Sequence, residues 1–411
     1  MALQSKAPQT NTDKTRQSEP ESCRTPESVG NGLRATIGLV LREVPDCTMR
    51  PTDISRRLDI SRVMVGRVVR AVQKEDPIET LTSIPGPETL RHIVHSAQVS
   101  GVSAEHVQAA IDAIELFDWL IRDQYGTRGA MSAALSVDHA GQRERFEQAS
   151  RYQAFKGMSQ VLGVESKLWL TCMMMTPSND SEHGINISTI HGTTGLRRLR
   201  PDSRVNFVYG TPPKYVSGRQ MPERMDLDLS PYFSNTPAPL DVVEENGQII
   251  NTFAPKVAGK DAVYDMFAGV HVPNGSNRVA APGRTCRGTV VLPDVPVAAL
   301  VSDVILHGDI FEGITPELLV YNTMGKGGAD IEDPKRFVDR VETNEEIIEL
   351  GDGFSKIEVP DVPKYEQMVR FLCAKNGYSP KEFRVHRLQI QYPVYGFQYA
   401  IVYKVPQALE D

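Results

Sequence analysis

Five positions between residues 62 and 70 carry the side chains best suited to chemistry in this sequence. They are Arg62, Val63, Gly66, Arg67 and Arg70, and they fall on one side of a predicted helix. Arginine can form two parallel hydrogen bonds with the edge of guanine, and an apolar valine can contact the methyl group of thymine. These residue types predict a surface that reads base pairs in the DNA major groove.

The segment that positions them, residues 51–72, predicts two short helices joined by a tight turn. Pro51 suits the first position of a helix, where no amide donor is needed, and the side chain of Ser61 is predicted to cap the second helix. Apolar or small residues recur where the two helices would pack on each other and on a preceding helix. These are Ile54, Ser55, Leu58, Ile60, Val65 and Val68.

This segment resembles the helix-turn-helix of bacterial transcriptional regulators, in which the second helix enters the major groove. The resemblance covers only residues 51–72 of 411. It departs from the family's pattern at Asp59, a turn position usually held by Gly because the backbone tends toward positive φ there. Asp tolerates that conformation better than most other residues.

The resemblance implies that Thr52, Arg56 and Arg70 contact phosphates, which position a protein on DNA without reading sequence. It implies double-stranded DNA as the partner. The predicted DNA-binding residues are therefore Thr52, Arg56, Ser61, Arg62, Val63, Gly66, Arg67 and Arg70.

The local charge agrees with this prediction. Residues 34–74 contain nine Lys or Arg and four acidic residues, a balance of +5 in a chain whose net charge is −7. A basic patch on an acidic protein is typical of nucleic-acid binding. The alternative is a helical hairpin with a solvated basic face.

The remainder of the N-terminal region is predicted to be helical. Polar residues 1–30 predict a disordered tail, residues 31–84 a helix-turn-helix domain, and residues 85–163 a helical linker or dimerisation region. Within these segments we expect helices over residues 33–44, 88–98, 103–122 and 142–162 and one short extended piece over residues 80–84. Residues 130–141 are expected to form a connection, in which residues 131–135 could be helical.

The predicted helix over residues 103–122 has more apolar surface than one face of a surface helix normally buries. Leu116, Trp119 and Leu120 widen its apolar stripe. The surplus needs a second partner, which is either another helix of this chain or a second subunit. A homodimer would suit regulators that bind paired half-sites about one DNA turn apart.

From residue 164 to residue 411 the pattern predicts a mixed α+β or mainly β domain. Strands are predicted over residues 168–175, 185–190, 205–209, 248–253, 288–292, 318–321, 383–391 and 398–405, and a helix over residues 365–375. The last two strands are predicted to form an antiparallel pair, and residues 211–240 an extended loop or lid. The predicted fold class is therefore a multidomain α+β protein with an all-α helix-turn-helix domain at its N-terminus.

The C-terminal half offers no recognised catalytic motif. His92 and His95, or His183 and His191, lack carboxylate or thiolate partners at metal-ligand spacing. The Gly-rich residues 325–328 could bind an anion through backbone amides or form a flexible loop, and Arg284 and Arg287 could stabilise a Cys286 thiolate or simply flank a buried strand residue. We therefore predict no catalytic residues, no metal and no cofactor.

Composition places the chain among soluble globular proteins, with 40% hydrophobic and 24% charged residues. There is no apolar run approaching the roughly 20 residues of a membrane span, and the five cysteines are scattered without a CxxC pair. We expect a cytoplasmic protein with reduced thiols and no membrane association.

Three hypotheses follow. The first is a sequence-specific DNA-binding transcriptional regulator whose C-terminal domain senses a small-molecule effector or drives oligomerisation. The second is an enzyme with its active site in the C-terminal domain and a helical N-terminal assembly domain. The third is a structural or interaction protein of a DNA-processing complex.

Overall fold

The computed structural model describes residues 24–136, 140–209, 224–245, 248–256, 259, 262–281 and 283–406. The chain divides into two compact units, Met1–Phe146 and Glu147–Asp411. Helices fill the described part of the first unit, and strands with one further helix dominate the second. The predicted fold class, a helical N-terminal region followed by a mixed α+β region, is confirmed.

Most helices of unit 1 begin at proline or at a capping side chain. Pro occupies the first turn of α1, α2, α4 and α5, where its missing amide is harmless, and the Ser103 hydroxyl accepts a hydrogen bond from the His106 amide at the start of α6. The helices are α1 (Pro26–Glu43), α2 (Pro51–Leu58), α3 (Arg62–Val72), α4 (Pro77–Ser83), α5 (Pro87–Val99), α6 (Ala104–Trp119), a π-helical turn (Leu120–Gln124) and α7 (Arg128–Ser136); α8 (Ala140–Leu162) continues into unit 2.

One hydrophobic core holds unit 1 together. Leu33, Ile37 and Leu41 of α1 are buried in the same cluster as Leu90 of α5 and Phe117 of α6. The cluster extends to Met131, so it includes helices from both of the segments predicted as residues 31–84 and 85–163.

The apolar surplus of α6 is covered by this same core. Leu120 is fully buried, and Leu116 and Trp119 are partly buried against the cluster that α1 and α5 supply. The second partner required by the sequence pattern is therefore found within the chain, and α6 gives no argument for a second subunit.

Three local predictions for unit 1 need correction. Residues 80–83 are helical rather than extended, because Asp76 caps the Ile78 amide, Pro77 starts α4 and the Thr80 hydroxyl bonds to the Ala71 carbonyl. Residues 130–136 belong to α7, which agrees with the helical alternative for residues 131–135 and not with a connection. Residues 26–30 are the first turns of α1, capped by Thr25, and residues 1–23 of the predicted tail lie outside the described residues.

The described residues of unit 2 form three sheets. Its strands are β1 (Val164–Pro177), β2 (Gly184–Arg198), β3 (Val205–Tyr209), β4 (Met225–Leu227), β5 (Thr236–Pro237), β6 (Leu240–Glu245), β7 (Gln248–Phe253), β8 (Tyr264–Asn277), β9 (Cys286–Val291), β10 (Val297–His307), β11 (Glu317–Asn322), β12 (Ile347–Asp352), β13 (Phe383–Gln391) and β14 (Phe397–Lys404), with helix α9 (Tyr365–Asn376). The largest sheet has the order β12-β13-β10-β1-β2-β8-β4, with β5 also on β8. The others are β11-β14-β9 and β3-β7-β6.

The large sheet is packed on both faces. Helix α9 covers one face, where its Met368 and Leu372 join Leu170 of β1. The sheet β11-β14-β9 packs on the other face, where Tyr403 of β14 joins Leu300 of β10. Burial on both faces explains why β1 and β10, which pair in parallel, have nearly continuous apolar sequences.

All eight predicted strands and the helix over residues 365–375 are present, but the pairing of the last two strands was wrong. β13 pairs with β10 and β12, whereas β14 lies in the other sheet between β11 and β9. The connection changes sheets at Tyr392, which has a positive φ of 52° and donates its amide to the Ala298 carbonyl. Of the predicted loop or lid, residues 210–223 lie outside the described residues, and residues 224–240 contain β4 and β5.

Candidate nucleic-acid interface

Helices α2 and α3 are joined by a tight turn with a left-handed residue. Asp59 has φ 54° and ψ 43° and ends α2 with its amide donating to the Ser55 carbonyl. The Ser55 hydroxyl donates to the Ile60 carbonyl at 2.6 Å, and the Ile60 amide returns a bond to the Ser55 carbonyl at 3.1 Å. Ser55 therefore fixes both sides of the turn, and Asp59 adopts the conformation for which Gly is usually selected.

The predicted buried positions of the helix pair are confirmed. Ile54, Leu58, Ile60, Val65 and Val68 all lie in the core of unit 1. The predicted side-chain cap by Ser61 was wrong, because its hydroxyl makes no capping hydrogen bond. Its carbonyl accepts from the Val65 amide instead, while the side chain is exposed.

The exposed face of α3 carries Arg62, Val63, Arg67 and Arg70. Val63 is 73% exposed, so its methyl groups are accessible to a partner. The Arg70 Nε donates to the Gly66 carbonyl at 3.0 Å, which holds that side chain along the helix. Gly66 is half-buried, and a Cβ there would lie 3.8 Å from the Pro51 Cβ, an ordinary van der Waals distance. Gly66 therefore faces the start of α2, but the space there does not require a glycine.

The arginines of this face are not neutralised. Arg62 and Arg67 of α3, with the exposed Arg56 of α2, form no salt bridge with a carboxylate anywhere in the part of the chain that the structure describes. Thr52 lies half-buried in the first turn of α2. An arginine without a local counter-ion keeps its full attraction for phosphate or for the acceptor edge of guanine.

Other charges of the predicted basic patch have structural roles. Arg34 donates to the carbonyls of Lys74 and Glu75, and Lys74 pairs with Glu79 at 2.9 Å. Hydrogen bonding from His106 lowers the pKa of Glu43 at the end of α1. The part of the patch left for a ligand is consequently smaller than the sequence count of nine basic residues implies.

Arg128 is a cation near this interface that the sequence did not reveal. It donates to the Leu81 and Ile84 carbonyls and lies 5.4 Å from the centroid of the Phe117 ring. Burial lowers its pKa, and the charge of Arg67 lowers it further. Arg128 lies sixty-one positions after Arg67 in the numbering, and no spacing rule links residues so distant.

Two buried carboxylates of unit 2 form their hydrogen bonds with other groups of the fold. Asp303 of β10 accepts from Arg387 Nε at 2.8 Å, from Arg387 Nη2 at 2.7 Å and from the Tyr365 hydroxyl at 2.7 Å. Asp265 of β8 accepts from Asn235 and Thr194, and these hydrogen bonds lower its pKa although burial opposes them. Both carboxylates join separate elements and have their partners within the fold.

The arrangement that comes nearest to a nucleophile and base is Ser188 of β2 with His271 of β8. The serine hydroxyl lies 2.8 Å from the His271 Nδ1 and also accepts from the Asn376 side chain at 3.0 Å. Ser188 is only 1% exposed. A substrate could not reach this hydroxyl without opening the sheet, so the pair is best explained as packing between strands.

The Gly-rich loop and the segment around Cys286 have structural partners. Lys326 of the Gly-rich loop pairs with Asp339 at 2.7 Å, and Arg336 holds the Gly327 and Gly328 carbonyls. The Cys286 amide donates to Glu332, which places a carboxylate beside the two arginines. No group of three or more His, Cys, Asp or Glu in the described residues could hold a metal ion.

The sequence matches no protein-family model and no curated protein. Among the described residues, no helix has both the length and the apolar character needed to cross a membrane.

Proposed function

We propose that this protein is a sequence-specific DNA-binding transcriptional regulator that reads base pairs with α3 in the major groove. The observation that carries the proposal is the exposed face of α3, where Arg62 and Arg67 lie beside the exposed Val63 and have no carboxylate partner among the described residues. In the proposal, Arg62 and Arg67 contact guanine and Val63 contacts a thymine methyl group. Thr52, Arg56 and Arg70 contact phosphates, and Ser61 lies at the entry to the groove.

The geometry of the turn supports the same function. A recognition helix must project from a rigid support, because base readout fails if the side chains move by about an ångström. Five buried side chains and the hydrogen bonds of Ser55 fix α3 on α2. In our proposal the protein is cytoplasmic and binds paired half-sites as a homodimer, and unit 2 senses a small-molecule effector.

The first test is the salt dependence of binding to random double-stranded DNA. Each phosphate contact releases counter-ions, so the logarithm of the binding constant should fall linearly with the logarithm of salt concentration. Arg56→Ala should weaken binding on all sequences and reduce this slope by about 1. Arg67→Ala should instead cost about 1–3 kcal/mol on a preferred site and much less on random DNA.

The matched control is Arg122→Ala, which removes the same charge from an exposed arginine of unit 1 that pairs with Asp118. It should leave the slope and the affinity unchanged. Binding that is absent at moderate salt, or a slope that Arg56→Ala and Arg122→Ala change equally, would contradict the proposal. The enzyme and scaffold hypotheses would then take precedence.

A further inference from the structure

A pocket of about 320 Å³ opens at one edge of the large sheet of unit 2. Arg384 and His386 of β13, Ile347 and Glu349 of the edge strand β12, and the loop of residues 313–316 line it. The volume is at the lower end of the range for small-molecule sites. The pairing of β12 with β13 shifts register directly after Glu349, and such irregularities often turn side chains toward binding sites.

His386 forms the buried wall of this pocket. Its Nδ1 lies 2.8 Å from the hydroxyl of Tyr403, and the Tyr403 ring stacks on Phe311 with centroids 5.3 Å apart. Burial lowers the pKa of His386, so the ring is neutral at pH 7, and burial raises the pKa of Tyr403, which keeps the phenol protonated.

The hydrogen bond with Tyr403 determines the tautomer of His386. Within the described residues the buried Tyr403 hydroxyl has no other hydrogen-bond partner. An unmade bond from a buried hydroxyl is costly, so the phenol donates to Nδ1. The ring proton then lies on Nε2, which leaves one N–H donor for a group in the pocket.

Arg384 supplies further donors on the same strand face. Its Nη1 donates to the Gly308 carbonyl, and its Nη2 donates to the carbonyls of Ile310 and Phe311. A guanidinium has five N–H donors, so the Nε donor and one Nη1 donor remain. The bonds to the three carbonyls also fix the chain just before the loop that closes the pocket.

Glu349 provides the opposite charge. It lies directly across from His386 in the antiparallel pair, a position at which side chains begin about 5 Å apart. Its side chain is exposed and forms no salt bridge with any residue that the structure describes. The pocket thus offers two donor side chains at one end and a carboxylate beside them.

We propose that this pocket binds a small zwitterion of the amino-acid class. The ligand carboxylate accepts from Arg384 and His386, and the ligand ammonium group pairs with Glu349. Tyr403 is a positioning residue, because it sets which ring nitrogen of His386 carries the proton. The role of the ligand as an effector rests on the proposed DNA-binding function, but its binding does not.

The test is isothermal titration calorimetry of the full chain without DNA, using each common L-amino acid as the probe. We expect saturable binding of at least one of them. Its N-acetyl derivative and its decarboxylated amine should bind about tenfold more weakly or worse, since each lacks one charged partner. Because DNA is absent, failure here is distinguishable from failure of the DNA-binding proposal.

Two variants locate the site. Glu349→Gln should lower the affinity about tenfold, whereas Glu346→Gln, the same change at an exposed position outside the pocket lining, should not. Tyr403→Phe should weaken binding and shift the His386 ring tautomer, which NMR of the ring nitrogens reports. The proposal is overturned if no amino acid binds, if the N-acetyl derivative binds equally well, or if the Gln variants at positions 349 and 346 behave alike.

Discussion

Removal of the Asp303 carboxylate should strongly destabilise unit 2. The side chain is completely buried and accepts two hydrogen bonds from Arg387 and one from Tyr365. Asp303→Ala leaves the guanidinium of Arg387, which is 6% exposed, as a buried charge without its carboxylate. Loss of one member of a buried ion pair costs about 3–5 kcal/mol, and this sets the expected fall in the free energy of unfolding.

The chain provides its own probe for this measurement. Its two tryptophans are divided between the units, Trp119 in unit 1 and Trp169 in unit 2. In a Trp119→Phe background, fluorescence from the buried Trp169 reports denaturant unfolding of unit 2 alone. The midpoint should fall in Asp303→Ala with little change in the slope.

A double-mutant cycle separates the charge effect from general loss of packing. The cycle compares Asp303→Leu and Arg387→Leu with the double variant Asp303→Leu/Arg387→Leu. The double variant removes both charges, so its loss of stability should be clearly less than the sum for the two single variants. A cost below about 1 kcal/mol for Asp303→Ala, or strict additivity in the cycle, would refute the reasoning, since neither fits a buried charge that loses its partner.

Three further predictions concern single positions. Burial raises the pKa of Asp294 to about 6, above its value in the unfolded chain, so the charged form destabilises the fold. Asp294→Asn should therefore raise the free energy of unfolding by about 1–3 kcal/mol at pH 7 and by almost nothing below pH ~4. Thermal melts that show the same gain at every pH would contradict this. Gly157→Ala should stabilise α8 by about 0.5–1 kcal/mol, because the space around Gly157 is open. Gly192→Ala would overlap the Met266 carbonyl oxygen and should lower the free energy of unfolding by more than about 2 kcal/mol. Equal effects of the two variants in denaturant unfolding would show that the β2–β8 contact is looser than described. Asp59→Gly should change the free energy of unfolding by less than about 0.5 kcal/mol. Asp59→Val should lower it by about 1–2 kcal/mol, because a β-branched residue is poorly accommodated at positive φ. No change in stability for Asp59→Val in the same assay would mean that the turn can rearrange.

Local signals in the sequence predicted most elements of this fold. Helical spacing and proline predicted α1, α5 and α6, and alternating or continuous apolar runs bounded by turn residues predicted β1 and β13. Residues 80–83 have strand-like composition, but Asp76 and Pro77 start a helix there. Capping by a residue four positions earlier overrides weak local preference.

Pairing between strands could not be predicted. β13 and β14 are adjacent in sequence and were expected to form one hairpin, yet each finds its partners in a different sheet. The strands β8 and β10, which were not predicted, both belong to the large sheet, and β10 is the strand that pairs with β13. Sheet assignment depends on which faces must be buried against each other, and that information is spread over residues far apart in sequence.

The two candidate sites differ in how far apart their residues lie in the sequence. The interface on α3 lies within residues 51–72, so its spacing was visible and the five apolar positions predicted to be buried are buried. The burial of Val69, Ala71 and Val72 was not predicted. The pocket of unit 2 combines β12, β13 and a loop, and its His386 gains a role only through Tyr403 of β14. Such a site has no spacing that a sequence could show.

The most direct test of the central claim is selection of DNA from a random double-stranded pool by the full-length protein, repeated with Arg62→Ala/Arg67→Ala. The control is Arg122→Ala/Arg370→Ala, which removes two charges from exposed arginines that pair with neighbouring carboxylates. We expect the protein and the control to enrich one motif that the α3 variant does not enrich, and an inverted repeat in that motif would indicate a dimer. No enrichment at moderate salt, or the same motif enriched by the α3 variant, would contradict base reading by α3.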